Sequence, residues 1–457
     1  MMTNETEKRQ LPDGWAWTPF GELFEIQGGS QPPKDTFIYE PKEGYIRLLQ
    51  IRDFGDKPVP TYIPIDQARK TCERYDVLIA RYGASLGRIL TGMEGAYNVA
   101  MAKVIFDHGL INSRYIFYLL QTPIFQTPIH MISRSAQNGF NKGDVYPIEL
   151  PVAPLPEQER IVAEIEKQFT RLDQAVASLQ RLQSNLARYK ASVLKAACDG
   201  RLVPQDPNDE PAADLLARIL SERRTQWEAA NPKKKYKEPV GVETAVLPDL
   251  PESWVWARVD QLGEVRLGRQ RSPKNHQGPH MHPYLRAANA TWNGVDLSDV
   301  MEMNFKPSEL ETYRLKKGDI LLSEASGSAN EVGKPFIWKE QIPDCCFQNT
   351  LIRVRLFDLP PDYLHLHFYT DAQTGRFGRI AKGVGIHHLG ANRLAEMPVA
   401  IPPLAEQERI VAEVERRLSV ITATEQIITA NLARAERLRQ SILHRAFTGQ
   451  LVPQQPA

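Results

Sequence analysis

Four stretches of the 457-residue chain concentrate side chains of the kind that read nucleic acid. In the N-terminal half, Arg81-Tyr82-Gly83-Ala84-Ser85-Leu86-Gly87-Arg88 offers Arg81, Tyr82, Ser85 and Arg88. Ser133 to Lys142 adds Arg134, Gln137, Asn138, Asn141 and Lys142. In the C-terminal half, Glu324 to Lys334 offers Ser326, Ser328, Asn330 and Lys334, and Lys382 to Arg393 offers Lys382, His387, His388, Asn392 and Arg393. Arg, Lys, Asn and Gln make bidentate contacts with base edges, and glycines let the backbone approach phosphate. Arg47 and Gln50, matched in the second half by Arg286 and Asn289, extend the set. One such stretch alone reads as an ordinary surface loop. Recurrence at corresponding places in both halves points to binding.

Patterns for catalysis are weaker. Gly327 to Lys334 resembles a phosphate-binding P-loop, but five residues separate the glycines where the motif has four, and Pro335 replaces the magnesium-binding hydroxyl. A G-x-G-x-x-G cofactor loop is absent, as is the Asp-Pro-Pro-Tyr-like tetrapeptide with which amino-methyltransferases grip their target amine. Pro12-Asp13 and Glu40-Pro41-Lys42 have the pieces of a metal nuclease signature at too long an interval. His276, His280 and His282 cluster, yet without cysteine or paired carboxylates they read as an exposed loop. His365 and His367, two apart on a predicted helix, point to different faces. The chain is expected to hold no catalytic centre, cofactor or metal of its own.

Composition bounds the partners. Lys and Arg number 56 against 55 Asp and Glu, so the net charge of +1 gives no global basic signal. Cys72, Cys198, Cys345 and Cys346 show no C-x-x-C spacing, which fits a reduced, cytoplasmic chain without disulfides or a zinc cage. The opening Met1-Met2-Thr3-Asn4-Glu5 is polar and resembles no signal peptide, and no stretch is long and apolar enough to span a membrane.

The elements that must position these residues are announced by an internal repeat. Glu157-Gln158-Glu159-Arg160-Ile161-Val162-Ala163-Glu164 reappears letter for letter as Glu406 to Glu413, and the match runs on to Gly200 and Gly449. Each copy predicts a helix of roughly 40 residues, about 60 Å long. Val162, Ile165, Phe169, Leu172, Val176 and Leu179 step by three and four, the seam of a coiled coil; Leu182, Leu186, Tyr189 and Val193 continue it one position out of step. The second seam is Val411, Val414, Leu418, Ile421, Ile428, Leu432, Ala435 and Ile442, with Glu425 intruding. Leu11-Pro12-Asp13-Gly14-Trp15 recurs as Leu250-Pro251-Glu252-Ser253-Trp254, so the duplication includes a mixed α and β unit of ordinary domain size before each helix. The predicted fold class is α+β. Two similar mixed α/β domains (1–156 and 250–404) are separated by two long helices (157–200 and 405–449), packed as an antiparallel coiled coil with pseudo-two-fold symmetry. A linker (201–249) with a short amphipathic helix from Pro211 to about Trp227 and a basic run, Lys233-Lys234-Lys235-Tyr236-Lys237, has no second copy, and 450–457 is a tail.

Over essentially its whole length the chain resembles the specificity subunits of type I restriction-modification enzymes. The carriers are the repeated Pro-Leu-x-Glu-Gln-Glu-Arg-Ile motif (Pro154 to Ile161, Pro403 to Ile410), the domain-opening Leu-Pro-x-x-Trp and the Gly-Asp-Ile-Leu-Leu-Ser strand at Gly318 to Ser323. Tyr75-Asp76-Val77-Leu78-Ile79-Ala80 in the first half departs from that strand motif. The resemblance implies two target-recognition domains, each reading half of a split double-stranded DNA site. It also implies two methyltransferase (modification) subunits carrying S-adenosylmethionine, and restriction subunits using ATP and Mg2+. The helix starts, Glu157, Gln158, Arg160, Glu406, Gln407 and Arg409, are the surface assigned to subunit docking. Half-sites lie about 34–36 Å apart, or a multiple, in symmetric DNA-binding proteins, a span that long helices can rule. A single-chain nuclease and a pure assembly scaffold are the alternatives. DNA cleavage or methylation by the isolated chain would mark the first, and a complex without sequence-dependent DNA binding the second.

Overall fold

The computed structural model describes residues 10–135, 139–328, 331–383 and 385–454. Two compact units divide the chain, Met1–Arg181 with Ile428–Ala457 (unit 1) and Leu182–Ile427 (unit 2). Unit 1 runs β1 (Ala16–Pro19), α1 (Phe20–Leu23), β2 (Glu25–Gly28), β3 (Tyr45–Leu49), β4 (Tyr62–Pro64), β5 (Thr71–Cys72), β6 (Val77–Ala80), β7 (Ile89–Leu90), β8 (Gly95–Tyr97), β9 (Met101–Ile105), α2 (Ser113–Leu119), α3 (Pro123–Ser135), α4 (Lys142–Val145), β10 (Glu149–Val152) and the first part of α5 (Leu155–Cys198). Unit 2 takes the rest of α5, then α6 (Ala212–Ala230), β11 (Val255–Arg258), α7 (Val259–Leu262), β12 (Gly263–Leu267), β13 (Met281–Leu285), β14 (Ala290–Thr291), β15 (Gly294–Val295), β16 (Met301–Asn304), α8 (Pro307–Tyr313), β17 (Ile320–Ser323), β18 (Ala325–Ser326), β19 (Pro335–Ile337), β20 (Cys346–Phe347), β21 (Leu351–Leu356), α9 (Pro361–Gln373), α10 (Arg376–Ile380), β22 (His387–His388), α11 (Ala391–Ala395), β23 (Pro398–Ile401) and the start of α12 (Leu404–Ala446), whose end returns to unit 1.

The sequence repeat is a repeat of topology. Unit 1 has an antiparallel sheet ordered β2-β9-β6-β7, and unit 2 has its counterpart, β12-β21-β17-β19. The second sheet of each holds one parallel pair, β3 with β8 and β13 with β20. The ribbons β1-β10 and β11-β23 close each unit just before its long helix. Strands β6 and β17 are buried at every position, which is why Val77-Leu78-Ile79-Ala80 and Ile320-Leu321-Leu322-Ser323 read as continuous runs rather than alternating ones. Tyr115 and Tyr363 repeat as well. Each buried hydroxyl donates to a backbone carbonyl of the closing ribbon, Pro151 O at 2.9 Å and Ala400 O at 3.0 Å.

Both long helices are built from strong helix formers, with no glycine inside and proline only at the start. Their 44 and 43 residues correspond to about 66 and 65 Å. In unit 1 the early turns of α5 meet the late turns of α12. Ile161, Val162, Ile165 and Phe169 share a core with Ile442, Leu443, Ala446 and Phe447, the Arg439 guanidinium lies 4.2 Å from the Phe169 ring, and Arg439 pairs with Asp173. In unit 2 the late turns of α5 (Val193, Leu194, Ala197) share a core with the early turns of α12 (Ile410, Val414). Within each unit the pairing is thus antiparallel. The seam differs from the sequence reading at two positions, because Leu182 and Tyr189 are exposed (44% and 46%) and the apolar stripe there is narrower than its letters.

Each long helix ends on a left-handed glycine that only a missing Cβ permits. Gly200 has φ +68, and a Cβ there would lie 2.5 Å from Pro251 Cγ; Gly449 has φ +71, and its Cβ would lie 2.0 Å from Pro12 Cγ. The bonds Arg201 N to Ala196 O (2.9 Å) and Gln450 N to Arg445 O (2.8 Å) complete the same C-terminal motif. So α5 finishes on the Leu-Pro-x-x-Trp opening of unit 2, and α12 on that of unit 1.

Candidate nucleic-acid interface

In both units the two polar stretches, some fifty residues apart in sequence, come together where β6 or β17 ends. In unit 1, Arg81 joins them. Its guanidinium stacks 5.1 Å from the Tyr82 ring and 6.0 Å from the Phe140 ring and donates to Phe140 O at 3.5 Å. Gly139, at φ +78, makes the approach possible, since a Cβ there would lie 2.1 Å from Arg81 O. In unit 2, β18 pairs with β22, placing Ala325 opposite His388 and Ser326 opposite His387. The His388 imidazole lies 2.9 Å from the Glu324 carboxylate, and Lys382 closes the turn by exchanging backbone bonds with His388.

Segments following the parallel-pair strands brace these loops. Arg88 donates to Phe54 O at 2.6 Å, behind β3. Behind β13, the β14-β15 hairpin carries Trp292, whose indole N–H donates to Glu331 at 3.3 Å and whose ring lies 5.4 Å from Lys334 Nζ. Trp292, Glu331, Phe140 and Glu324 were missed in the sequence. Their positions become meaningful only once distant strands pair, although an aromatic beside an Asn-Gly turn, Trp292-Asn293-Gly294, was a visible signal.

Most cations of the set are already paired. Lys142 bonds Glu25 at 3.0 Å, which raises the lysine pKa, and Lys334 pairs with Glu331, which lowers that carboxyl's. Arg286 pairs with Asp299, and Arg47 lies 3.5 Å from Asp53 on the wall of a cleft also lined by Glu73, Arg74 and Glu94. Arg393 spends its guanidinium on Leu389 O (2.8 Å) and His388 O (2.6 Å). Asn141 caps α4 by accepting from Gly143 N, Ser326 accepts from Ser328 N, and Gln50 donates to Thr61 at 3.2 Å. Tyr82, Arg88, Ser328, Lys382 and Asn392 are exposed, while Ser85 and His387 are half-buried. Gln137, Asn138 and Asn330 lie outside the described residues, and Arg134 falls in the last turns of α3.

Two parts of the sequence reading need correction. Asn289 is 3% exposed, and its amide donates to Asp296 O (2.8 Å) and Asp299 O (3.0 Å), clasping the hairpin that carries Trp292 rather than facing a ligand. The repeated helix starts are also turned inward. Gln158 is fully buried and holds Asn112 N, Leu110 O and Ala153 O; Gln407 donates to Pro402 O at 2.9 Å. Glu406, also fully buried, accepts from the Trp254 indole at 3.1 Å, and Glu157 is 6% exposed. These positions share the helix face of Ile161 and Ile410, which the domain core covers, so the motif fastens each helix to its own domain. Arg160 and Arg409 are half-buried, and Arg409 pairs with Asp209 at 2.6 Å.

The loops are not catalytic devices. Gly83-Ala84-Ser85-Leu86-Gly87 spells the G-x-S-x-G of a nucleophile elbow, but it links antiparallel β6 and β7 through a 3-10 turn instead of leading from strand to helix. Lys334 of the P-loop-like stretch immediately precedes strand β19, not the helix a phosphate cradle requires. The four cysteines are free, and burial pushes the Cys72, Cys198 and Cys345 thiols up to about 12, far from reactive thiolates.

A duplicated α+β domain, each copy presenting paired polar loops from one end of its sheet, defines a bipartite recognition protein. The chain belongs to the type I restriction modification DNA specificity domain family, whose model matches twice, over residues 12–183 and 251–434. It is 24% identical to the type I restriction enzyme EcoKI specificity subunit of Escherichia coli (strain K12), over 97% of this chain and 91% of that protein. It is 21% identical to the StySPI specificity subunit of Salmonella potsdam, over 97% and 91%. Among solved structures, it matches one from work on complex assembly and conformational transition of the type I R-M system (TM-score 0.68, 20% identity, 96% of this chain and 99% of that one). It also matches the HsdS subunit from Thermoanaerobacter tengcongensis (TM-score 0.57, 20% identity, 97% and 99%). No helix among the described residues is long and apolar enough to cross a membrane.

Proposed function

We propose that this chain is the sequence-reading, non-catalytic subunit of a cytoplasmic type I restriction-modification complex, each unit reading one half of a bipartite, asymmetric site in double-stranded DNA. The observation that carries this is the convergence of two polar loops at the same sheet end in both units, with different residues in each. In unit 1 the readers are Arg81, Tyr82, Ser85 and Arg88 with the stretch to Lys142. In unit 2 they are Ser326, Ser328 and Lys334 with Lys382, His387, His388 and Asn392. Two modification subunits with S-adenosylmethionine, and restriction subunits with ATP and Mg2+, supply the chemistry. Because Glu157, Gln158, Glu406 and Gln407 are buried, the docking surface for the modification subunits is assigned to the outer faces of the long helices, where Leu182 and Val420 are exposed. Methylation mapping of a host carrying loop variants tests the reading. Arg88→Ala is expected to alter one half of the methylated sequence and Asn392→Ala the other, each lost base contact costing about 1–3 kcal/mol of discrimination. A variant in one unit that rewrites both halves overturns it.

A further inference from the structure

The segment between α5 and β11 has no counterpart in the repeat, yet it is built onto unit 2. Ala212, Leu215 and Ile219 of α6 are buried in the core with Trp254, Val259 and Leu262. Ala212 N donates to Ser253 O at 2.9 Å, and Asp209 holds Arg409. The chain then turns and runs back along α6. Trp227 meets Tyr236 edge-on at 5.3 Å, and Arg224 bonds both Glu228 (3.0 Å) and Glu238 (3.1 Å). This clip presents Lys233, Lys234, Lys235 and Lys237, all exposed and with no ion-pair partner among the described residues. The nearby carboxylates of Glu228 and Glu238 are taken up by Arg224. The aromatic ring of the run, Tyr236, is turned inward against Trp227 and Arg224.

We propose that this lysine run is a sequence-independent phosphate-binding patch that grips duplex DNA outside the half-site read by unit 2; the inference rests on the DNA-reading role proposed above. Protein interfaces are depleted in lysine and centre on aromatic or arginine anchors, which this run does not expose, whereas phosphate contacts are made by flexible ammonium groups of this kind. The run is set apart from the reading loops, so a contact there falls outside the half-site they read. The reading loop leaves β17 at Ser323, opposite Leu351, while α6 packs on α7 and β11 and its Arg223 lies 5.6 Å from Phe357, just past the other end of β21.

The test uses the chain assembled with its modification subunits, comparing wild type with a variant in which Lys233, Lys234, Lys235 and Lys237 are all changed to Gln. On a duplex with long flanks, the slope of log affinity against log salt is expected to fall by about 3–4, at about 0.9 per phosphate contact. The methylated sequence should stay unchanged, the four Lys→Arg changes should restore the slope, and the difference should vanish on a duplex ending at the half-site. An unchanged slope, a complex that no longer assembles (a protein-docking surface), or a difference that persists on the short duplex overturns the patch. Wild type that methylates no bipartite site would instead overturn the reading on which it rests.

Discussion

At the scale of single residues, four of the candidate cations, Arg47, Lys142, Arg286 and Lys334, are paired with carboxylates of their own unit. Under the proposed reading role, Lys334 with Glu331 and Lys142 with Glu25 would exchange an internal partner for an external one, which favours sites that return bidentate contacts over bare phosphate. Glu331→Gln keeps an acceptor for the Trp292 indole and frees the ammonium. It is expected to raise non-specific affinity, steepen the salt slope by about 1 and lower discrimination in the second half-site, as binding to specific and random duplexes will measure. Glu406 acts on stability instead. Burial raises its pKa above the ordinary 4.5, with the Trp254 bond opposing. A carboxyl whose folded pKa is raised stabilises the fold fully below its unfolded value, and that stability is lost as pH climbs through the folded value. Glu406→Gln, which accepts the same indole bond without charge, should therefore raise the melting temperature at neutral pH and cease to do so below about pH 4.5. A melting difference that does not depend on pH would contradict this.

At the scale of elements, each end of the long helices is fastened to a domain core, and under the proposed function their length sets the spacer. Ile165 is fully buried, whereas Leu172, equally apolar in sequence, is only half-buried. Ile165→Asp is expected to cost about 3–5 kcal/mol by burying an unpaired charge, and Leu172→Asp distinctly less, in denaturant titrations of the full chain. Seven residues inserted into both α5 and α12 keep the apolar stripe in register and add about 10.5 Å. Methylation mapping should then show a spacer longer by about 3 base pairs between unchanged half-sites, at about 3.4 Å each. Four residues inserted in one helix alone break the pairing and should abolish assembly, which gel filtration with the modification subunits will show.

At the scale of the whole molecule, two units of one topology carry two different sets of loops, so under the proposed function the two halves of the site differ. Exchanging 324–334 and 382–393 together for the matching stretches of a relative should transplant one half of the recognised sequence and leave the other intact. Exchanging only one of the two stretches separates partners that β18 and β22 pair, and should lose recognition of that half instead of changing it.

The duplication, the helix limits set by proline and glycine, the buried runs of β6 and β17 and the class of chemistry were legible in the letters, because they rest on local propensity, periodicity and repetition. The facing of the Glu-Gln-Glu-Arg motif was not. Repetition marks a constraint without saying whether core or partner imposes it, and Gln158 and Glu406 met the core. Nor was the role of every polar side chain legible: Asn289 has the residue type of a base contact, but the chain just after it folds back so that its amide clasps Asp296 O and Asp299 O. Side-chain type sets what a residue is able to bind. Only the tertiary fold decides which of its neighbours reaches it first.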